Sequence, residues 1–217
     1  SLGISSAGAI SIGGEHTCAI LQNASVKCWG DGSRGQLGYG NTNDLGDASG
    51  EMGDNLPVVD LGTGRTATAI SLGTLHTCAI LDNDSVKCWG EGDSGELGYG
   101  NSNDLGDGEG EMGDNLPVVD LGTGRTATAI NSGAGGNGTC VILDNASLKC
   151  WGDGTYGRPG YGNTNDLGDG SGEMGDNLPV VDLGTGRTAT AISAGYAHIC
   201  AILDNASVKC WGYNSWG

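Results

Sequence analysis

The residues of this chain that are capable of chemistry come in sets. Eight cysteines form four C-x9-C pairs: Cys18 with Cys28, Cys78 with Cys88, Cys140 with Cys150, and Cys200 with Cys210. Such a pair can ligate a metal, cycle as a redox couple or close a disulfide. Zinc pairs favour about two to four intervening residues, and redox pairs favour a CxxC turn opening a helix; neither pattern is present. Folding each segment about its middle residue, Asn23, Asn83, Asn145 or Asn205, sets its cysteines opposite each other. Directly paired antiparallel residues have Cα atoms about 4.5 to 5.5 Å apart, within reach of a disulfide. A cross-strand staple is the reading these spacings favour, each loop contributing roughly 2 to 3 kcal/mol in the chain-entropy model.

Each middle asparagine also opens an N-x-S triplet, and Asn137 opens a fifth, "NGT". Asn and Ser are ordinary turn residues. Four triplets at one tip position, each framed by a staple, point further, to N-linked glycans and an extracellular or cell-surface protein made on a eukaryotic secretory route.

Carboxylates recur as well. Asp44, Asp47, Glu51 and Asp54 return as Asp104, Asp107, Glu111, Asp114 and as Asp166, Asp169, Glu173, Asp176, among asparagines and glycines. Calcium takes about six to eight oxygen ligands from such loops, which makes it the one cofactor candidate; the spacing is not that of an EF-hand, and the competing reading is a solvated loop. His16, His76 and His198 precede the first cysteine of their units, but Gly138 stands in that place in the third, which favours a structural hydrogen bond over shared chemistry. Trp29, Trp89, Trp151 and Trp211 follow each second cysteine, as packing residues between neighbouring units would. Catalysis has the weakest case. Polar residues are repeated rather than gathered into one convergent set, and there is no Gly-x-Ser-x-Gly elbow, no phosphate loop and no cysteine left without a partner.

The elements that must position these residues repeat too. "EMGDNLPVVDLGTGRTATAI" occurs unchanged at 51–70, 111–130 and 173–192, and Cys18, Cys78, Cys140 and Cys200 are spaced by 60, 62 and 60 residues. The chain divides into units at 1–57, 58–117, 118–179 and a partial 180–217. Runs such as "AISIGGEHTCAIL" and "SVKCWG" read as short strands, "VVDL" as another, and the acidic stretch 38–57 as a long loop. No run keeps a helical apolar period. With 44 glycines, 4 prolines and no phenylalanine, tight turns dominate. A net charge of −17 opposes phosphate backbones, so nucleic acid is disfavoured as a partner. No apolar run reaches the roughly 18 to 20 residues of a membrane span. Starting at Ser1 without a basic-then-apolar leader, the chain reads as a mature or trimmed product. Four hairpins but only three acidic connectors read as an open array or part of a longer one.

The succession "G…HTCAIL…SVKCWG…GQLGYG" over 13–40 resembles the repeats of the regulator-of-chromosome-condensation family, in particular its extracellular, cysteine-bearing versions. That resemblance covers nearly the whole chain and implies an all-β, propeller-like array of four-stranded blades, here four units in an incomplete or open ring. Founding members of the family act on a small GTPase and on chromatin, which the charge and the paired cysteines oppose. The expectation is therefore a secreted or cell-surface structural glycoprotein that self-associates into a filament, coat or spacer. The alternative is an extracellular propeller that binds a protein or carbohydrate through its loops.

Overall fold

The computed structural model describes residues 7–133 and 136–215. Among them the backbone forms four antiparallel three-stranded meanders and no α-helix. Blade 1 is β1 (Ala7–Ile12), β2 (His16–Leu21) and β3 (Val26–Gly30); blade 2 is β4 (Ala67–Leu72), β5 (His76–Leu81) and β6 (Val86–Gly90). Blade 3 is β7 (Ala127–Ser132), β8 (Gly138–Leu143) and β9 (Leu148–Gly152), and blade 4 is β10 (Ala189–Ala194), β11 (His198–Leu203) and β12 (Val208–Gly212). The first strands of successive blades are neighbours, and the sheets stack without closing into a ring among the described residues.

The strand period of two explains the stacking. In blade 2, Cys78, Ile80, Val86 and Cys88 turn toward blade 3, while Ala79, Leu81 and Trp89 turn toward blade 1. A middle blade is thus apolar on both faces, and every residue of β5 and β6 is buried. Each first strand carries a bulge, as between Ala67 and Ala69, where the Thr68 hydroxyl donates to the Ile80 carbonyl at 3.2 Å. At the far end of β6, Gly90 has φ +105°, and a Cβ there would run into the Leu75 carbonyl.

One expectation needs correction. "VVDL" forms no regular strand; a single backbone bond, Val59 N to Val26 O at 2.8 Å, ties it along the free edge of β3, and Val119–Val86 and Val181–Leu148 repeat it. Pro57 lacks an N–H, and the Asp60 carboxylate accepts from Gly62 N at 2.9 Å, bending the chain away at once. The fourth strand implied by the resemblance is replaced by this tethered segment.

Candidate functional site

Three sets of side chains meet where blades meet. At the first seam the Gln36 carbonyl accepts from Trp89 Nε1 at 3.0 Å and from the Thr77 hydroxyl at 2.9 Å. Since Thr77 spends its hydrogen on that carbonyl, His16 Nε2, 2.7 Å from the Thr77 oxygen, is the donor. Burial pushes the His16 imidazole down to about 4, against the pull of Asp31. The second seam repeats this with Trp151, Thr139 and the Glu96 carbonyl at 2.9 and 3.0 Å, and with His76 at 3.1 Å from Thr139. Burial takes His76 to about 3. A histidine beside a hydroxyl resembles a base and its nucleophile, yet here the proton runs from ring to oxygen and both groups are buried. At the third seam Trp211 still donates to the Arg158 carbonyl at 2.8 Å, but Gly138 and Ile199 replace histidine and threonine. The tryptophans with a blade before them therefore pack between blades.

The second and third acidic loops clasp the preceding blade through Asp114 and Asp176, whereas the first is exposed over most of residues 41–50. Asp44, Asp104 and Asp166 accept from Gly32, Gly92 and Gly154 N at 2.9, 2.9 and 2.8 Å. Glu51 accepts from Gly46 and Ala48 N, and Glu111 and Glu173 do likewise in their loops. Asp114 takes the Thr63 hydroxyl and amide of the preceding blade at 2.6 and 2.8 Å, and Asp176 takes those of Thr123. Burial and the neighbouring Glu111 and Glu173 raise Asp107 and Asp169, while Asp47 and Asp54 are exposed. Amide and hydroxyl donors thus engage one oxygen of Asp44 and Glu51 and both of Asp114, and no three acidic, histidine or cysteine side chains are placed to hold a metal ion among the described residues. The calcium candidates do not converge.

The cysteines pair as Cys18–Cys28, Cys78–Cys88, Cys140–Cys150 and Cys200–Cys210, with Cα atoms 4.1 Å apart in each case. Their hairpins turn through a type I turn followed by a left-handed residue, namely Ala24, Asp84, Ala146 or Ala206, at φ of 60 to 63°. Asn23, Asn83, Asn145 and Asn205 are exposed at these tips, each carboxamide oxygen accepting the following serine hydroxyl at 2.6 to 2.7 Å. Asn137 differs: it lies in the second seam, where its amide donates to Glu91 at 3.3 Å.

Between neighbouring blades lie two equivalent grooves of about 430 and 390 Å³. Tyr39, Pro57, Val58, Asp60, Glu109 and Met112 line the first, and their counterparts line the second, with Ser171 in place of Glu109. Val58 and Val118 stay half exposed there. A wider concavity of about 790 Å³ is the outer face of blade 4, with His198, Trp211 and Tyr213.

Sequence reasoning missed two groups. Lys87 and Lys149 are buried ammonium groups that donate to paired carbonyls, Leu61 and Gly113 in one case and Leu121 and Gly175 in the other, at 2.7 to 3.1 Å. Their fixed place in "VKCWG" and "LKCWG" was the available signal. Glu96 is wholly buried, and the signal was its alignment with Gln36 and Arg158.

A family model described as "Regulator of chromosome condensation (RCC1) repeat" matches residues 9–36, 67–96 and 189–217. The ultraviolet-B receptor UVR8 of Arabidopsis thaliana is 28% identical over 211 residues, covering 96% of this chain and 42% of UVR8. Human WBSCR16 superposes with a TM-score of 0.69 at 15% identity, over 96% of this chain and 48% of its own. Yeast RCC1 (Prp20), in its complex with Kap60, gives 0.63 at 17%, over 95% and 43%. This chain spans less than half the length of each.

Proposed function

The chain belongs to the regulator of chromosome condensation (RCC1) repeat family, and from that premise we propose that it is an extracellular, disulfide-stapled binding module that takes a polypeptide partner on its loop-lined rim. The repeated groove carries this reading: an exposed apolar wall, Pro57–Val58 and Pro117–Val118, faces a carboxylate, Asp60 or Asp120, with no lysine or arginine among the lining residues. Together with the net charge of −17, this favours an extended partner with apolar side chains beside basic ones. Relatives point the same way, one being named a receptor and another being solved with a bound protein. The four disulfides support an oxidising compartment, and the exposed sequons at Asn23, Asn83, Asn145 and Asn205 support N-linked glycans on the hairpin tips.

Selection from a random peptide display library tests the groove. Enrichment of Lys- or Arg-containing apolar peptides, lost in a V58E/V118E variant, is the expected result; unenriched pools, or binding indifferent to that variant, would sink the reading. Secretion from a eukaryotic host, with glycopeptide mapping, tests the compartment separately. A second reading, self-association into a filament, coat or spacer, is favoured by the repetition of one seam; sedimentation of the purified chain as a monomer at high concentration would count against it.

A further inference from the structure

We propose that Glu96, whose Oε1 is buried without a partner, holds the seam between blades 2 and 3 as a protonated carboxylic acid, and that this seam loosens when the proton is lost. This inference is independent of the binding role.

Gln36, Glu96 and Arg158 are equivalent positions of the repeat. In blade 1, Gln36 Oε1 accepts from Arg34 N at 2.8 Å, and its Nε2 donates to the Asp31 carboxylate at 2.7 Å. In blade 3, Arg158 donates to Asp153. In blade 2 the residues aligned with Gln36 and Asp31 are Glu96 and Glu91, both acids. Glu96 Oε2 accepts from Ser94 N at 2.7 Å, as Gln36 Oε1 does from Arg34 N. Oε1 thus occupies the place of the amide donor, and it is buried with no partner. An unpaired buried carboxylate is far more costly than a neutral acid that can donate.

Burial and the neighbouring carboxylates favour retaining a proton on Glu96, against the Ser94 amide. Burial pushes the Glu96 carboxyl up to about 8, with Glu91 and Asp93 adding to the rise and the Ser94 amide opposing it. Arg34 lies 3.5 Å from Glu91 but divides its charge with Asp93 at 3.3 Å and Asp104 at 2.9 Å. From blade 3, among the described residues, the hydrogen-bond partners are neutral, Thr139 and Trp151 on the Glu96 carbonyl and Asn137 on Glu91, and the Asp169 backbone packs against Gly95. His76, bonded to Thr139, is held neutral by burial. Because the folded chain keeps this proton to higher pH than the unfolded chain, stability is full below the ordinary glutamate range and falls as pH climbs from there through about 8.

Thermal unfolding and isotope-edited infrared spectroscopy of the whole chain test this. Wild-type protein should melt roughly 3 to 8 °C lower at about pH 9 than at about pH 6, E96Q should be nearly flat over that range, and Q36E should steepen the decline. At neutral pH a protonated-carboxyl band should be present in wild type and absent in E96Q. Parallel melting curves for wild type and E96Q, a Q36E curve no steeper than wild type, or no protonated-carboxyl band at neutral pH would each overturn the proposal. The infrared arm on wild-type protein stands even if a variant fails to fold.

Discussion

The seam between blades 1 and 2 and the seam between blades 3 and 4 solve one packing problem with different chemistry. The first runs from His16 through Thr77 to the Gln36 carbonyl, with Trp89 on the same oxygen. The last keeps only the tryptophan: Gly138 leaves room, and Ile199, 7% exposed, fills it with hydrocarbon. Histidine and threonine are exchanged together, so that neither is left buried without the other. The repeat thus requires that the seam carbonyl be capped by indole, and it leaves the neighbouring pair free to be polar or apolar so long as both members agree.

Removing the indole probes the shared part and should have the largest effect. Trp89→Ala is expected to cost about 3 to 5 kcal/mol and Trp211→Ala clearly less, since Trp211 is partly exposed; equal losses in urea unfolding would show that burial at the two seams does not differ in energy. Next comes the part that varies. Thr139→Val strands the His76 N–H and should cost roughly 1 to 3 kcal/mol, whereas Ile199→Val should cost about 0.5 to 1.5 kcal/mol; a reversed order would break the polar-versus-apolar distinction.

Acid should separate the seams further. His16 and His76 are depressed to about 4 and about 3, so the unfolded chain binds more protons below the ordinary histidine range. The stability they contribute is complete above it and is lost as pH falls toward those values. Hydrogen exchange resolved by blade at about pH 5 should show the two histidine seams opening before the third; simultaneous opening would contradict the assignment of His16 and His76 as buried neutral donors. The smallest effect is expected at the tips, where the carbonyls of Ala24 and Ala146 accept from Ala67 and Ala189 of the next blade at 3.1 and 3.0 Å. Ala24→Gly and Ala146→Gly relieve a left-handed alanine and should each gain about 0.5 to 1 kcal/mol. Unequal gains would mean that the tips sense which seam they border.

Much of this was legible in the sequence. The sixty-residue period, the hairpins and their cysteine register follow from identical strings and from residues placed symmetrically about Asn23 and its counterparts. The contact of Asp114 with Thr63, 51 residues away, is not legible in the sequence, because composition does not reveal which distant residue a loop carboxylate meets. "VVDL" carries a strand's residue types, but Pro57 and the Asp60 turn leave room for only one backbone bond. The buried acid at Glu96 was visible as a Gln, Glu, Arg alternation, and it gains meaning only once Asp31, Glu91 and Asp153 are seen opposite.

The staples also bear on how near-identical repeats avoid mispairing. Each disulfide joins residues 10 apart in sequence, whereas from Cys28 to Cys78, the nearest wrong partner in the next hairpin, the separation is 78 − 28 = 50 residues. Loop-closure entropy alone favours the local encounter by about 1.4 kcal/mol, roughly tenfold. Near-identical repeats invite mispairing between copies, and the short spacing within each hairpin weighs against it.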